Sequence, residues 1–225
     1  MFDDSMISEL AKEVKADIVR FIEQQAELLF NEFDFQMQLA LALRASGKYD
    51  DVDAEYFLPN SVVEGYDWDS NMYLDIVVSR DGEFVPVELK YCTRSVRCDI
   101  LRFNELLQDV EIMRNQGAQD NRRYDFWKDV RRVELVKKLF PAVKNGLAVF
   151  LTNDPAYTRS PRPGSSNAPF SMATEHIVGG GTMDWIGNPS TRNQHMPFKL
   201  EGSYRNDWHM TTIGGVGFYY TSLTV

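Results

Sequence analysis

The stretch YLDIVVSRDGEFVPVELKYC, Tyr73 to Cys92, places charged residues inside two apolar runs. Met72–Ser79 and Phe84–Tyr91 are rich in β-branched and aromatic residues, so both read as strands. Asp81-Gly82 between them marks a hairpin turn, with a loop of about four to five residues. Side chains alternate along a strand, so Glu88 and Lys90 share one face and Val87, Leu89 and Tyr91 take the other. Asp75, between Leu74 and Ile76, can come opposite Glu88. Two carboxylates and an ammonium thus meet inside an apolar hairpin. Such charges are costly to bury unless they neutralise one another or hold a metal. Pro86 lacks a ladder donor and is expected at the start of its strand.

The flanking segments extend this core. Residues 5–46 are helix-forming, free of Gly and Pro until Gly47, with room for a break near Asp17. Leu28, Phe35, Leu39 and Leu43 form the expected buried stripe, and Glu32 and Gln36 lie on or beside it. Gly47 ends the helix. Val52–Leu58 reads as a strand and Glu64–Ser70 as a loop. After Lys90 the pattern of Ile100, Phe103, Leu106, Leu107 and Val110 predicts a helix over 99–114. Tyr124–Phe140 predicts another, stopped by Pro141. Leu147–Asp154 reads as a buried parallel strand. Residues 155–170 read as a long loop, His176–Trp185 as a hairpin and Gly214–Val225 as a closing strand. These last strands are expected to extend the sheet.

Asp75 followed by Glu88-Leu89-Lys90, in this hairpin context, resembles the signature of the PD-(D/E)XK nuclease superfamily. The leading Pro of that motif is replaced by Leu74. The resemblance implies an α/β fold: a restriction-endonuclease-like αβββαβ core, with a mixed sheet flanked by helices and extra C-terminal strands. One domain, 1–225, is expected, with its core over about 17–154 and a long loop plus additional strands over 155–225. The resemblance also implies a Mg²⁺-dependent phosphodiesterase, with Mn²⁺ able to substitute. Asp75, Glu88 and Glu32 would be its catalytic acids and metal ligands, Lys90 its catalytic lysine, and Gln36 and the Leu89 carbonyl supporting groups. Oxygen donors suit Mg²⁺ better than His or Cys would. The alternative reading is a non-catalytic binding or structural subunit of a nucleic-acid-processing complex.

Charge frames the partners. The net charge is −9, yet it is uneven: residues 1–60 carry 5 Lys/Arg against 13 Asp/Glu, and residues 90–144 carry 13 against 8. An acidic protein with one basic region can approach nucleic acid, DNA first, on that side. Arg94, Arg97, Lys128 and Arg132 are the candidate phosphate contacts. Asp125, Lys128, Asp129 and Arg132 equally fit a set of ion pairs along one helix face. Cutting both strands of a duplex often takes two sites, so a homodimer stays open, with no interface legible. No apolar run is long enough to cross a membrane. The opening MFDDSM lacks a signal-peptide design. Two cysteines make no disulfide framework. A cytoplasmic setting is expected. His176, His195 and His209 lack ligand spacing, and the glycine clusters lack a phosphate-loop ending.

Overall fold

A computed structural model describes residues 7–66, 68–187 and 195–225. The opening MFDDSM therefore lies outside the described residues. Helix α1 spans Glu9–Gln24 and α2 spans Glu32–Ala45. The break lies at 25–31, not near Asp17. Asp17 sits within α1, where it binds Lys48 Nζ at 2.7 and 2.8 Å and Tyr49 Oη at 2.8 Å. Asn31 caps α2 by accepting from Asp34 N–H, and Asp34 accepts from Phe30 N–H. This reciprocal cap fixes where α2 begins, and so fixes Glu32 in its first turn.

Strands β1 (Asp51–Leu58), β2 (Met72–Arg80) and β3 (Glu83–Cys92) follow in antiparallel order. The β2–β3 turn is tighter than its sequence suggests. Arg80 pairs with Glu83, leaving only Asp81 and Gly82, both at positive φ. Two such residues match the twist of the flanking strands. Pro86 lies inside β3 rather than at its start. Phe84 N–H donates to Ala142 O, so the same edge of Pro86 faces away from β2. Pairing with the next strand begins at Val87, and no ladder donor is lost.

The segment expected as a helix over 99–114 is instead a hairpin, β4 (Val96–Arg102) and β5 (Glu105–Met113). Phe103 and Asn104 form its two-residue turn, again with both φ positive. Ile100 pairs with Leu107 and Leu101 with Leu106, so apolar positions that mimic a helical stripe are cross-strand neighbours. Helix α3 (Gln119–Leu139) leads into β6 (Leu147–Thr152), which pairs parallel to β3. Strand β7 (Ile177–Met183) pairs with β8 (Phe198–Arg205) as a separate two-stranded sheet, not as a local hairpin. Strands β9 (His209–Ile213) and β10 (Val216–Thr224) extend the main sheet, whose order is β1-β2-β3-β6-β10-β9.

The chain is thus a mixed α/β fold. Helices α1 and α2 cover one face of the six-stranded sheet through Val14, Ile18, Phe35 and Leu39 against Val87, Leu89, Tyr91 and Phe218. Helix α3 covers the other through Phe126, Trp127 and Val130 against Ala148 and Phe150, with β7 and β8 completing that layer. Trp185 is buried there, and Tyr204 and Trp208 pack against it. Both layers bury wide apolar surfaces, which is what holds a charged strand like β3 in the centre. No helix among the described residues is long and apolar enough to cross a membrane.

Candidate functional site

Strands β2 and β3 stay paired up to Ile76 and Val87 and then part. The register, continued by one step, sets Asp75 opposite Glu88. Beyond it, the inward N–H groups of β3 have lost their strand partner. Carboxylates replace it. Leu89 N–H donates to Asp75 Oδ2 at 2.6 Å, and Tyr91 N–H donates to Glu32 Oε2 at 2.8 Å. The backbone is held open by the acids that the sequence singles out.

Glu32 reaches this opening from the start of α2, where its negative charge also suits the helix dipole. Gln36, one turn later, donates to Asp75 O at 2.7 Å and to Glu55 Oε1 at 2.8 Å. Glu55 lies opposite Asp75 on β1 and has a positive φ of 53°. An acidic residue in that backbone region within a strand is uncommon. Its place beside the site was not legible in the sequence.

Helix α3 supplies the opposite wall. Lys90 Nζ lies 3.1 Å from Asp129 Oδ2 and 3.8 Å from Glu32 Oε1. Arg132 Nε lies 3.2 Å from Glu88 Oε1, and Nη1 lies 3.4 Å from Asp129 Oδ1. Arg132 also donates to Tyr73 O. These ion pairs are close but poorly aligned: Glu88 Oε1 and Asp129 Oδ2 are buried without a hydrogen bond. Four carboxylates, Glu32, Asp75, Glu88 and Asp129, face two cations, Lys90 and Arg132. The cluster carries a formal charge of −2.

Proton affinities follow from that crowding. Burial raises Asp75 to about 6; Asp129 adds to the rise, and the Leu89 N–H opposes it. Burial also pushes Glu88 well above the ordinary carboxylate range, with Arg132 opposing and Asp75 and Asp129 reinforcing. For Lys90, burial works against the charge, but Asp129, Glu32 and Asp75 outweigh it and hold the ammonium above its usual value. Lys90 is a fixed cation at neutral pH.

The predicted acids and lysine therefore come together. The proposed phosphate contacts are scattered. Arg132 is half-buried and tied into the cluster by Glu88 and Asp129. Lys128 Nζ sits 4.8 Å over the Trp68 ring. Arg94 Nε lies 3.0 Å from Asp154 Oδ1 beyond the end of β3, and Arg97 pairs with Asp109 out on the β4–β5 hairpin. Asp129 is the residue that sequence reasoning left as a surface ion pair. The signal was available: Asp125, Asp129 and Arg132 repeat at helical spacing along one face of α3, and that face meets Glu88 and Lys90.

The donor set fits a hard divalent cation in chemistry: carboxylate oxygens, two of them orphaned, around a negative cluster. The Asp129 and Glu88 oxygens are turned toward Lys90 and Arg132, while Asp75 Oδ2 and Glu32 Oε2 are taken by the Leu89 and Tyr91 N–H groups. Among the described residues no group of three His, Cys, Asp or Glu side chains is arranged to hold a metal ion. No family model, curated protein or solved structure matches this chain.

Proposed function

We propose that this chain is a Mg²⁺-dependent nuclease of the restriction-endonuclease-like type, acting on DNA. The observation that carries the reading is the opening between β2 and β3, where four carboxylates outnumber two cations. Four carboxylates crowded around two cations in a largely buried site attract a divalent ion or protons, as the raised proton affinities of Asp75 and Glu88 reflect. The order of α2, β1, β2, β3, α3 and β6 agrees with an αβββαβ core, with the β4–β5 hairpin inserted ahead of α3.

Asp75 and Glu88 would hold the ion, with Glu32 as a further acid and the Leu89 carbonyl as a supporting group. Mn²⁺ would substitute. A bound Mg²⁺ supplies a lowered water pKa and polarises a phosphoryl oxygen. Lys90 keeps its proton, so it serves as a donor and positive charge beside the phosphate rather than as a base. Asp129 is the positioning residue for Lys90. Arg132 holds Glu88 at 3.2 Å, so the carboxylate that would bind the ion is kept in place by that pair. Gln36 fixes the Asp75 backbone. Arg94 is the candidate phosphate contact nearest the end of β3. A homodimer would bring two such sites to a duplex.

Cleavage of plasmid, linear duplex, single-stranded DNA and RNA, with Mg²⁺, Mn²⁺ or EDTA, tests the reading. Wild type should cut in a metal-dependent way, and Lys90→Ala and Glu88→Ala should not. Cutting by Lys90→Ala at the wild-type rate would remove Lys90 from the mechanism. Folded wild type that neither cuts nor binds metal would support the non-catalytic alternative.

A further inference from the structure

Among the described residues, Glu55 is the one non-glycine residue inside a strand of the main sheet with a positive φ, 53°. Left-handed backbone crowds Cβ against the following carbonyl, so an L residue holds it only where its surroundings impose it. Asp109 shares this conformation on β5, but there the β4–β5 register slips, as at a bulge. At Glu55 nothing slips. Ala54 pairs with Ile76 and Tyr56 with Leu74, so one residue on each strand lies between.

What changes is the face. Residues two apart on a strand should point the same way. Instead, Met72 and Leu74 pack with Leu135 and Val136 of α3, while Ile76 and Val78 pack into the core under α1 and α2. Strand β1 changes sides at the same level: Val52 belongs to the α1–α2 layer, and Tyr56 and Leu58 pack against the α3 layer. The two strands turn over together at Glu55 and Asp75 and stay paired. Strand β3 does not follow them. Val85, Val87, Leu89 and Tyr91 all keep to the α1–α2 layer. A ladder cannot continue between a strand that turns over and one that does not, and β2 and β3 part beyond Ile76 and Val87.

Asp75 sits at the turnover and sends its carboxylate across the gap to Leu89 N–H at 2.6 Å. Gln36, buried on α2, fastens both residues of the turnover with one amide nitrogen, which donates to Asp75 O at 2.7 Å and to Glu55 Oε1 at 2.8 Å.

We infer that Glu55 is a positioning residue for Asp75: its left-handed backbone turns β1 and β2 over together, which opens β2 from β3 and aims the Asp75 carboxylate into the opening. The consequence for cleavage rests on the nuclease reading; the consequence for the backbone does not.

Substitution at Glu55 tests this with an order opposite to ordinary strand preference, in which valine is favoured and glycine depleted. Glycine adopts positive φ freely, and a β-branched residue does so worst. Glu55→Gly should melt at or up to about 3 °C above wild type, and Glu55→Val several degrees below it. The Leu89 amide proton, shifted downfield by its short bond to a carboxylate, should keep its NMR position in Glu55→Gly. In Glu55→Val it should move to the position it takes in Asp75→Ala. Turnover in Mg²⁺ should fall roughly a hundred-fold in Glu55→Val, the loss expected for a displaced catalytic group, and glycine at the same position should restore it. A Leu89 amide that Glu55→Val leaves in place overturns the inference. So does a Glu55→Gly protein that melts several degrees below wild type, a result that needs no folded Glu55→Val. Folded wild type that does not cut would count against the nuclease reading alone, and the amide position and melting order would still decide the role of Glu55.

Discussion

Asp129 Oδ2 lies 3.1 Å from Lys90 Nζ, joining α3 to the central strand β3 at the candidate site. Lys90 is mostly buried, so without a carboxylate at this distance its charge would be poorly supported. The contact orients the lysine as well as neutralising it.

Asp129→Asn should therefore cut nuclease turnover by roughly two orders of magnitude, the scale of loss for a misplaced catalytic group. DNA affinity should change little, because Asp129 is assigned a positioning role through its contact with Lys90. Asp129→Glu should recover part of the rate. Single-turnover cleavage and binding titrations, run in parallel, separate the two effects; equal losses in rate and affinity would contradict a positioning role.

The Asp75 carboxyl, raised to about 6 from an ordinary 3.8, makes a signed prediction for the metal-free protein. The folded state binds this proton more tightly than the unfolded chain does. Its contribution is fully present below about pH 4 and is lost as pH rises through 6. The difference is worth about 3 kcal/mol. In EDTA, Asp75→Asn should be more stable than wild type at pH 8 by up to that amount, and the advantage should vanish below pH 4. Thermal melts across that range would show it, and parallel pH curves for the two proteins would refute it.

Mg²⁺ should raise the melting temperature of wild type at pH 8, by about 2.7 kcal/mol of stability at a hundred times its dissociation constant. Glu88→Gln should lose most of this gain. In wild type the gain should shrink as pH falls below 6, since protons on Asp75 compete with the ion. An equal Mg²⁺ effect in both proteins would place the ion elsewhere.

Gln36 is buried and ties α2 to the Asp75 carbonyl. Gln36→Ala should cost about 1–3 kcal/mol by leaving that carbonyl unpaired. Urea denaturation measures this. A neutral result would mean that water replaces the amide without loss.

The sequence alone determined the local features whose causes are local. Alternation placed Glu88 and Lys90 on one face of β3. Helical spacing marked Phe35, Leu39 and Leu43 as buried, and the continuous apolar run of β6 marked it as a strand enclosed on both sides. The same local reasoning failed over 99–114, where leucine spacing satisfied both a helix and a hairpin. There the positive-φ turn at Phe103-Asn104 decided between them.

Only the tertiary structure decided which charges meet. Asp129 and Arg132 looked like solvated helix residues, because ion pairing along a helix and ion pairing into a sheet share one spacing. Packing α3 against β3 turned that face inward and exchanged water for Lys90 and Glu88. The divergence of β2 from β3 likewise has no sequence mark. It arises because Asp75 and Glu32 accept the N–H groups that a strand would otherwise take, and those acceptors arrive from β2 and from a helix on the other side of the sheet. Long-range electrostatic partners are set by which surfaces the apolar core brings together, and a linear pattern does not contain them.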